Sequence, residues 1–443
     1  IVEEYMEKIS KLTGREYHLF NYYGAPDADR MIVAMGSVCE TIEETVDYLN
    51  ARGEKVGLLT VHLYRPFSLE HFFKYIPRTV KRIAVLDRTK EATAMGEPLY
   101  LDVRSAFYGR DDWQPLIVGG RYGLGSKDVV PADIAAVFEN LKQDRPKDGF
   151  TIGIVDDVTH TSLTPCADIN TTPAGTKACK FWGLGSDGTV GANKNAIKII
   201  GDHTNMYAQG YFAYDSKKSG GLTVSHLRFG HKPIKAPYEI DKADFVACHN
   251  QSYVYKYDVL AGLKPGGSFL LNCAWNEAEL EANLPAAMKR YIAQNNINFY
   301  TIDAVKIAQA IGLGGRINMI MQAAFFKIAD IIPIEDAVTY LKDAVVSSYG
   351  AQGQKVVDMN FAAIDQGINA IVKVNVPASW RDAVDGETET PQVPEFIRDI
   401  LIPMNRQEGN KLPVSAFVGR EDGTFPPGTA AYEKRGIAID VPE

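Results

Sequence analysis

The densest run of residues able to hold a nucleotide is Ala178-Cys-Lys-Phe-Trp-Gly183-Leu184-Gly185-Ser186-Asp187-Gly188-Thr-Val-Gly-Ala-Asn193-Lys194. Gly183, Gly185 and Gly188 give G-x-G-x-x-G spacing between a strand candidate and a helix candidate. Glycines there let a backbone approach a pyrophosphate, and the helix N-terminus supplies amide donors and a favourable dipole. The unit runs on to a second strand ending in Tyr214-Asp215, where a ribose-binding acid belongs. Lys217 and Lys218 follow, suited to an extra phosphate on that ribose. No G-K-[ST] follows the glycines, so this is not a P-loop. The ligand expected is an ADP moiety with a phosphorylated ribose, NADP or coenzyme A. The plainer alternative is a glycine-rich turn that only tightens a strand–helix junction.

Other candidates are weaker. Gly312-Leu-Gly314-Gly315-Arg316-Ile-Asn318 precedes an apolar helix and forms either a second cleft wall or a simple helix-start turn. Leu263-Lys-Pro-Gly-Gly267 has the turn-plus-strand look of a methyltransferase, but no acidic glycine motif lies upstream, and a tight turn explains it. The histidines are scattered: His226, His231, His160, His203 and His249 fit no metal-ligand spacing. No G-x-S-x-G elbow occurs. No catalytic residue and no metal ligand is assigned. The five cysteines, Cys39, Cys166, Cys179, Cys248 and Cys273, are odd in number and contain no C-x-x-C. That argues against a disulfide framework or a locally bound cluster and suits a reducing cytoplasm.

The elements that must position these residues alternate. Apolar runs at 31–35, 56–63, 82–87 and 116–119 are short buried strands, with helices expected over 41–51 and 131–142. Residues 1–25 have helical spacing. Gln143–Gly149 is a polar linker, after which Phe150 is expected to open a second unit. Its strand candidates are 180–183, 211–214, 245–248 and 268–273, and its helix candidates 188–200, 287–293, 304–310 and 318–328. Strands alternating with helices predict parallel α/β sheets. The expected fold is two successive parallel-sheet α/β domains followed by a short, irregular, Pro-rich C-terminal segment. The chain has 443 residues, 23% of them charged and 46% apolar, enough for sizeable cores. Its net charge of −8 gives no reason to expect nucleic acid or an acidic membrane as partner. No apolar run approaches the ~18 residues of a membrane span. The first residue is Ile1 and no leader pattern opens the chain, so a piece of something longer, or a processed cytoplasmic chain, is expected.

The motifs also carry a family resemblance. Lys180 to Lys194, Tyr214-Asp-Ser-Lys-Lys-Ser-Gly-Gly221 and Ser225-His-Leu-Arg-Phe-Gly230 closely resemble the gamma-type domain of pyruvate:ferredoxin (flavodoxin) oxidoreductases. Gly314-Gly-Arg-Ile-Asn318-Met, Gln322-Ala-Ala-Phe-Phe326 and Met359-Asn360 match as well. Val56–Leu63 with Tyr64-Arg-Pro-Phe67 is similar to the transketolase C-terminal-like domain of the same enzymes, and Tyr432-Glu-Lys-Arg-Gly436 to their EKR domain. The resemblance implies a middle segment: 1–27 the tail of a thiamine-type domain, 28–147 transketolase C-terminal-like, 148–385 Rossmann-like gamma-type, and 386–443 an incomplete EKR domain. It implies coenzyme A held by Gly183, Leu184, Gly185, Ser186, Asp187 and Gly188, with Lys217 and Lys218 on the phosphorylated ribose and Asn318 and Asn360 on the opposite wall. Thiamine diphosphate, magnesium and [4Fe–4S] clusters would belong to other domains, because neither a G-D-G…N-N motif nor a ferredoxin cysteine run is present. The partners implied are those domains, ferredoxin or flavodoxin, and a second copy in a homodimer. The segment alone is expected to be inactive. An NADP-binding dehydrogenase module, or a structural interaction segment with a vestigial nucleotide site, are the alternatives.

Overall fold

The computed structural model describes residues 1–167, 169–215, 221–385 and 392–432. They form two compact units. The first comprises Ile1–Thr172, Lys235–Tyr238 and Val393 onward; the second comprises Pro173–Ile234 and Glu239–Gln392.

The first unit is built on a six-stranded sheet of β1 (Phe20–Gly24), β2 (Arg30–Ala34), β3 (Val56–Val61), β4 (Arg82–Asp87), β5 (Leu116–Arg121) and β6 (Phe150–Thr151), in the order β1-β3-β2-β4-β5-β6. All neighbours are parallel except β1 and β3. β2 and β3 are buried along their whole length, which is why they read as continuous apolar runs. The helices of ten residues or more are α1 (Val2–Thr13), α2 (Val38–Asn50), α3 (Pro98–Phe107) and α4 (Pro131–Lys142). α2 buries Val38, Ile42 and Val46, a four-residue repeat on one face. α4 starts with Pro131 in its first turn, where no N–H is needed, and Asp133 accepts the Val130 N–H at 3.1 Å.

The second unit carries a seven-stranded sheet: β7 (Lys177–Leu184), β8 (Tyr207–Tyr214), β9 (Leu222–Gly230), β10 (Ala243–Cys248), β11 (Leu263–Asn272), β12 (Asn298–Ile302) and β13 (Val372–Lys373), in the order β13-β12-β11-β10-β7-β9-β8. The central β12, β11, β10 and β7 are parallel, whereas β9 is antiparallel to both β7 and β8. Helices α5 (Thr189–His203), α6 (Asn318–Ala329), α7 (Ile334–Tyr349) and α8 (Gln354–Asn369) supply one core. α6 is buried almost all round, and Gly367 lets α8 lie against it: a Cβ added there would stand 2.4 Å from the Ile320 carbonyl oxygen.

The parallel α/β cores agree with the sequence, and four differences stand out. Residues 1–25 are not one helical lead-in, because α1 ends at Gly14 in a left-handed cap and Phe20–Gly24 is a strand of the first sheet. Phe150–Thr151 does not open the second unit. It pairs with β5, so the division falls near Thr172 rather than at 147–148. The Pro-Gly-Gly of 265–267 falls within the span of β11 rather than ahead of it: β10 pairs Ala243 with Leu263 and then Phe245 with Ser268, so these residues form the bulge between, with Gly266 at φ 75°. One edge of the first sheet, β1, and both edges of the second, β13 and β8, pair antiparallel rather than parallel. Residues 397–432 are short helical turns, as irregular as expected. The EKR motif beyond Tyr432 lies outside the described residues.

Candidate functional site

β7 ends at Leu184 and α5 begins at Thr189, so the glycine motif is a strand-to-helix turn. The Asp187 N–H donates to the Leu184 carbonyl at 3.0 Å, closing a tight turn over Gly185 and Ser186. Ser186 has φ 76°, a left-handed conformation uncommon without glycine. Gly188 has φ 90°, and a Cβ there would stand 3.3 Å from Asn318 Cβ and Cγ. Gly183 is needed for contact: a Cβ there would lie 2.7 Å from Thr189 Oγ1.

The turn is held by its own acid. Asp187 Oδ2 accepts the Leu184 N–H and Oδ1 the Thr189 N–H, each at 2.8 Å. The Gly185 N–H donates to the Gly221 carbonyl at 2.6 Å. Four amides that the motif offers to a phosphate (Leu184, Gly185, Asp187 and Thr189) are therefore already bonded within the chain. Beneath the turn, Thr189 Oγ1 lies 2.8 Å from His249 Nδ1. His249 is buried, which pushes its imidazole below the usual range, opposed by the charge of Asp187.

A cavity of about 550 Å³ opens at the carboxyl ends of β7, β10, β11 and β12. This is where ligands bind in open parallel sheets. Leu184 and Asp187 line it together with His249, Asn272, Cys273 and Asp303. Asn272 braces the strand ends: its Nδ2 donates to the His249 carbonyl at 2.9 Å and its Oδ1 accepts the Ala304 N–H at 3.0 Å. Asp303 caps the helix Ala304–Ala310, accepting the Lys306 N–H at 3.0 Å. Burial raises the Cys273 thiol to about 11.

The structure thus brings Gly183, Leu184, Gly185, Ser186, Asp187 and Gly188 together, with Asn318 against Gly188. Of these, only Leu184 and Asp187 line the cavity; Asn318 does not, nor does Asn360, whose Nδ2 on α8 donates to the Val356 carbonyl at 2.8 Å, one turn back. Asp215 closes β8, its N–H donating to the Leu222 carbonyl at 2.9 Å, but β9 separates β8 from β7, unlike the adjacent strand of a dinucleotide fold. Lys217 and Lys218 lie outside the described residues. Sequence inspection missed His249, Asn272, Cys273 and Asp303; the signal available was their position just after or at the end of a parallel strand. Among the described residues, no group of three or more His, Cys, Asp or Glu is placed to hold a metal ion, and no helix is long and apolar enough to cross a membrane.

Residues 178–370 match the pyruvate ferredoxin/flavodoxin oxidoreductase domain, and 28–134 match pyruvate:ferredoxin oxidoreductase core domain II. The chain carries two domains of the pyruvate ferredoxin/flavodoxin oxidoreductase family. Residues 385–438 also match the EKR domain, of unknown function. The chain is 70% identical over its whole length to pyruvate-flavodoxin oxidoreductase of Enterobacter agglomerans, and 65% to that of Klebsiella pneumoniae. It is 60% identical to pyruvate:ferredoxin oxidoreductase of Moorella thermoacetica. It spans 38% of the length of each of these relatives.

Proposed function

We propose that this chain supplies the coenzyme A site of a pyruvate:ferredoxin (flavodoxin) oxidoreductase. That enzyme would convert pyruvate, coenzyme A and oxidised carrier to acetyl-coenzyme A, carbon dioxide and reduced carrier. The observation that carries the proposal is the coincidence of 70% identity along this chain to a segment of such an enzyme with a cavity at the strand ends beside the glycine turn. In this account Gly183–Gly188 and Asn318 form the wall on which the ligand lies, and Lys217 and Lys218 meet the 3′-phosphate. Asn360 acts indirectly, through α8 packed against α6. The physical task is approximation: holding a thiol carrier where an acyl group supplied by other domains would reach it. Those domains, a ferredoxin or flavodoxin, and a second copy of the whole enzyme are the partners proposed, in the cytoplasm.

Calorimetric titration of the chain with desulfo-coenzyme A, its 3′-dephospho form and NADP tests this. Binding of the first, weakened without the 3′-phosphate and not matched by NADP, is expected. Equal or tighter binding of NADP would replace the proposal with a dehydrogenase module, and silence toward all three would leave a structural segment. The chain alone is expected not to reduce viologen with pyruvate and coenzyme A.

A further inference from the structure

We infer that the cavity beside the glycine turn takes an uncharged, hydrogen-bond-donating part of the ligand and turns phosphate away, with the Asp187 carboxylate as its fixed acceptor. This rests on the coenzyme A assignment above and names which portion of that molecule enters.

A phosphate-binding glycine turn presents free amides. Here the amides of Leu184 and Thr189 point at Asp187, so a carboxylate of the chain already stands where the anion would. Its charge also meets the positive end of α5, leaving less of the dipole for a second anion. The cavity wall carries two carboxylates, Asp187 and Asp303, against one ammonium, Lys306. A pyrophosphate inside would face that excess of like charge. A neutral donor would not. Each carboxylate oxygen accepts more than one hydrogen bond, so Asp187, with one backbone N–H on each oxygen, keeps acceptor capacity. Two backbone bonds fix its direction, which makes it a pre-set acceptor rather than a mobile surface acid. Leu184, Val305 and Ile317 add apolar wall. Acceptors beside an apolar surface suit an amide N–H, a hydroxyl or an exocyclic amine on an aliphatic or heteroaromatic body. Coenzyme A offers that chemistry at two places: its pantetheine arm, and its adenine with the unphosphorylated ribose hydroxyl. Its phosphates then remain outside the cavity.

Methyl-selective NMR of the 443-residue chain separates the possibilities, reading Leu184, Val305 and Ile317 during titration with pantetheine, adenosine or inorganic pyrophosphate. One of the two neutral probes is expected to shift these methyls, and which one does so names the portion of the ligand. Pyrophosphate is expected to leave them unmoved. Asp187→Asn, checked as folded by its remaining methyl spectrum, is expected to weaken the neutral probe by about tenfold, the worth of one hydrogen bond to a charged group. Shifts with pyrophosphate, or none with either neutral probe, would overturn the inference. If desulfo-coenzyme A fails to bind while a neutral probe still moves the methyls, the coenzyme A assignment falls and the cavity inference stands. If desulfo-coenzyme A binds and the three methyls stay still, only the cavity inference falls.

Discussion

Thr189 Oγ1 lies 2.8 Å from His249 Nδ1, joining the first residue of α5 to the residue that follows β10. Both side chains are buried, so the bond is made out of reach of competing water. The Thr189 methine and hydroxyl also fill the space against Gly183, so one residue sets both the start of the helix and the path of the turn before it.

Thr189→Val keeps the shape and removes the hydroxyl. It leaves a buried imidazole nitrogen unpaired, which costs about 1–3 kcal/mol. Urea unfolding should show that loss. A change within about 0.5 kcal/mol would mean that the Thr189–His249 bond does not hold the turn.

Gly367→Ala tests the packing of α8 on α6. The added Cβ would meet the Ile320 carbonyl oxygen at 2.4 Å, a backbone atom that cannot step aside alone. Overpacking of this kind costs about 1–3 kcal/mol. A lower unfolding midpoint is expected. An unchanged midpoint would contradict the close approach.

His226 gives a pH dependence whose sign follows from its burial. In an unfolded chain it titrates near 6.5. In the fold, burial, aided by the charges of Lys180 and Arg228, pushes it down to about 3, and its Nδ1 accepts the Ile240 N–H at 3.0 Å. The unfolded chain therefore binds the extra proton. The stability this group contributes is complete above about pH 6.5 and is lost as pH falls toward 3, with a limiting slope of about 1.4 kcal/mol per pH unit. The slope of unfolding free energy between pH 6 and pH 4.5 (roughly the middle of that window) should be shallower in His226→Gln. Identical slopes would contradict it.

The cysteines predict a labelling order. Cys39, Cys179, Cys248 and Cys273 are buried, whereas Cys166 is partly exposed. Burial pushes the Cys39 and Cys248 thiols to about 12 and raises Cys179 as well. Only a thiolate attacks a disulfide reagent. Cys166 should label first with an aromatic disulfide, and Cys39, Cys179 and Cys248 only on unfolding. Early labelling of Cys179 would contradict the packing of β7.

Much of the fold was legible because its parallel strands are buried on both faces, as in Met31–Ala34 and Phe245–Cys248, and so read as unbroken apolar runs. Leu222–Gly230 was not legible as a strand. Ser225, His226 and Arg228 interrupt its apolar pattern, yet all three are buried. That missed strand is the reason Asp215 was expected beside the glycine turn. The turn itself was readable from its glycines, but its occupancy was not: spacing reveals that amides converge, not that Asp187 has already taken two of them. Asn318 and Asn360 came from the resemblance alone, and only the folded chain separates them: Asn318 lies against Gly188, while the Asn360 side chain bonds back within its own helix.

The most direct test of the coenzyme A assignment is a crystal of the chain grown with coenzyme A. Density for the ligand along Gly183–Gly188 and Asn318, with its 3′-phosphate at Lys217 and Lys218, is the predicted result. A ligand bound elsewhere, or a glycine turn identical with and without it and bare in both, would contradict it.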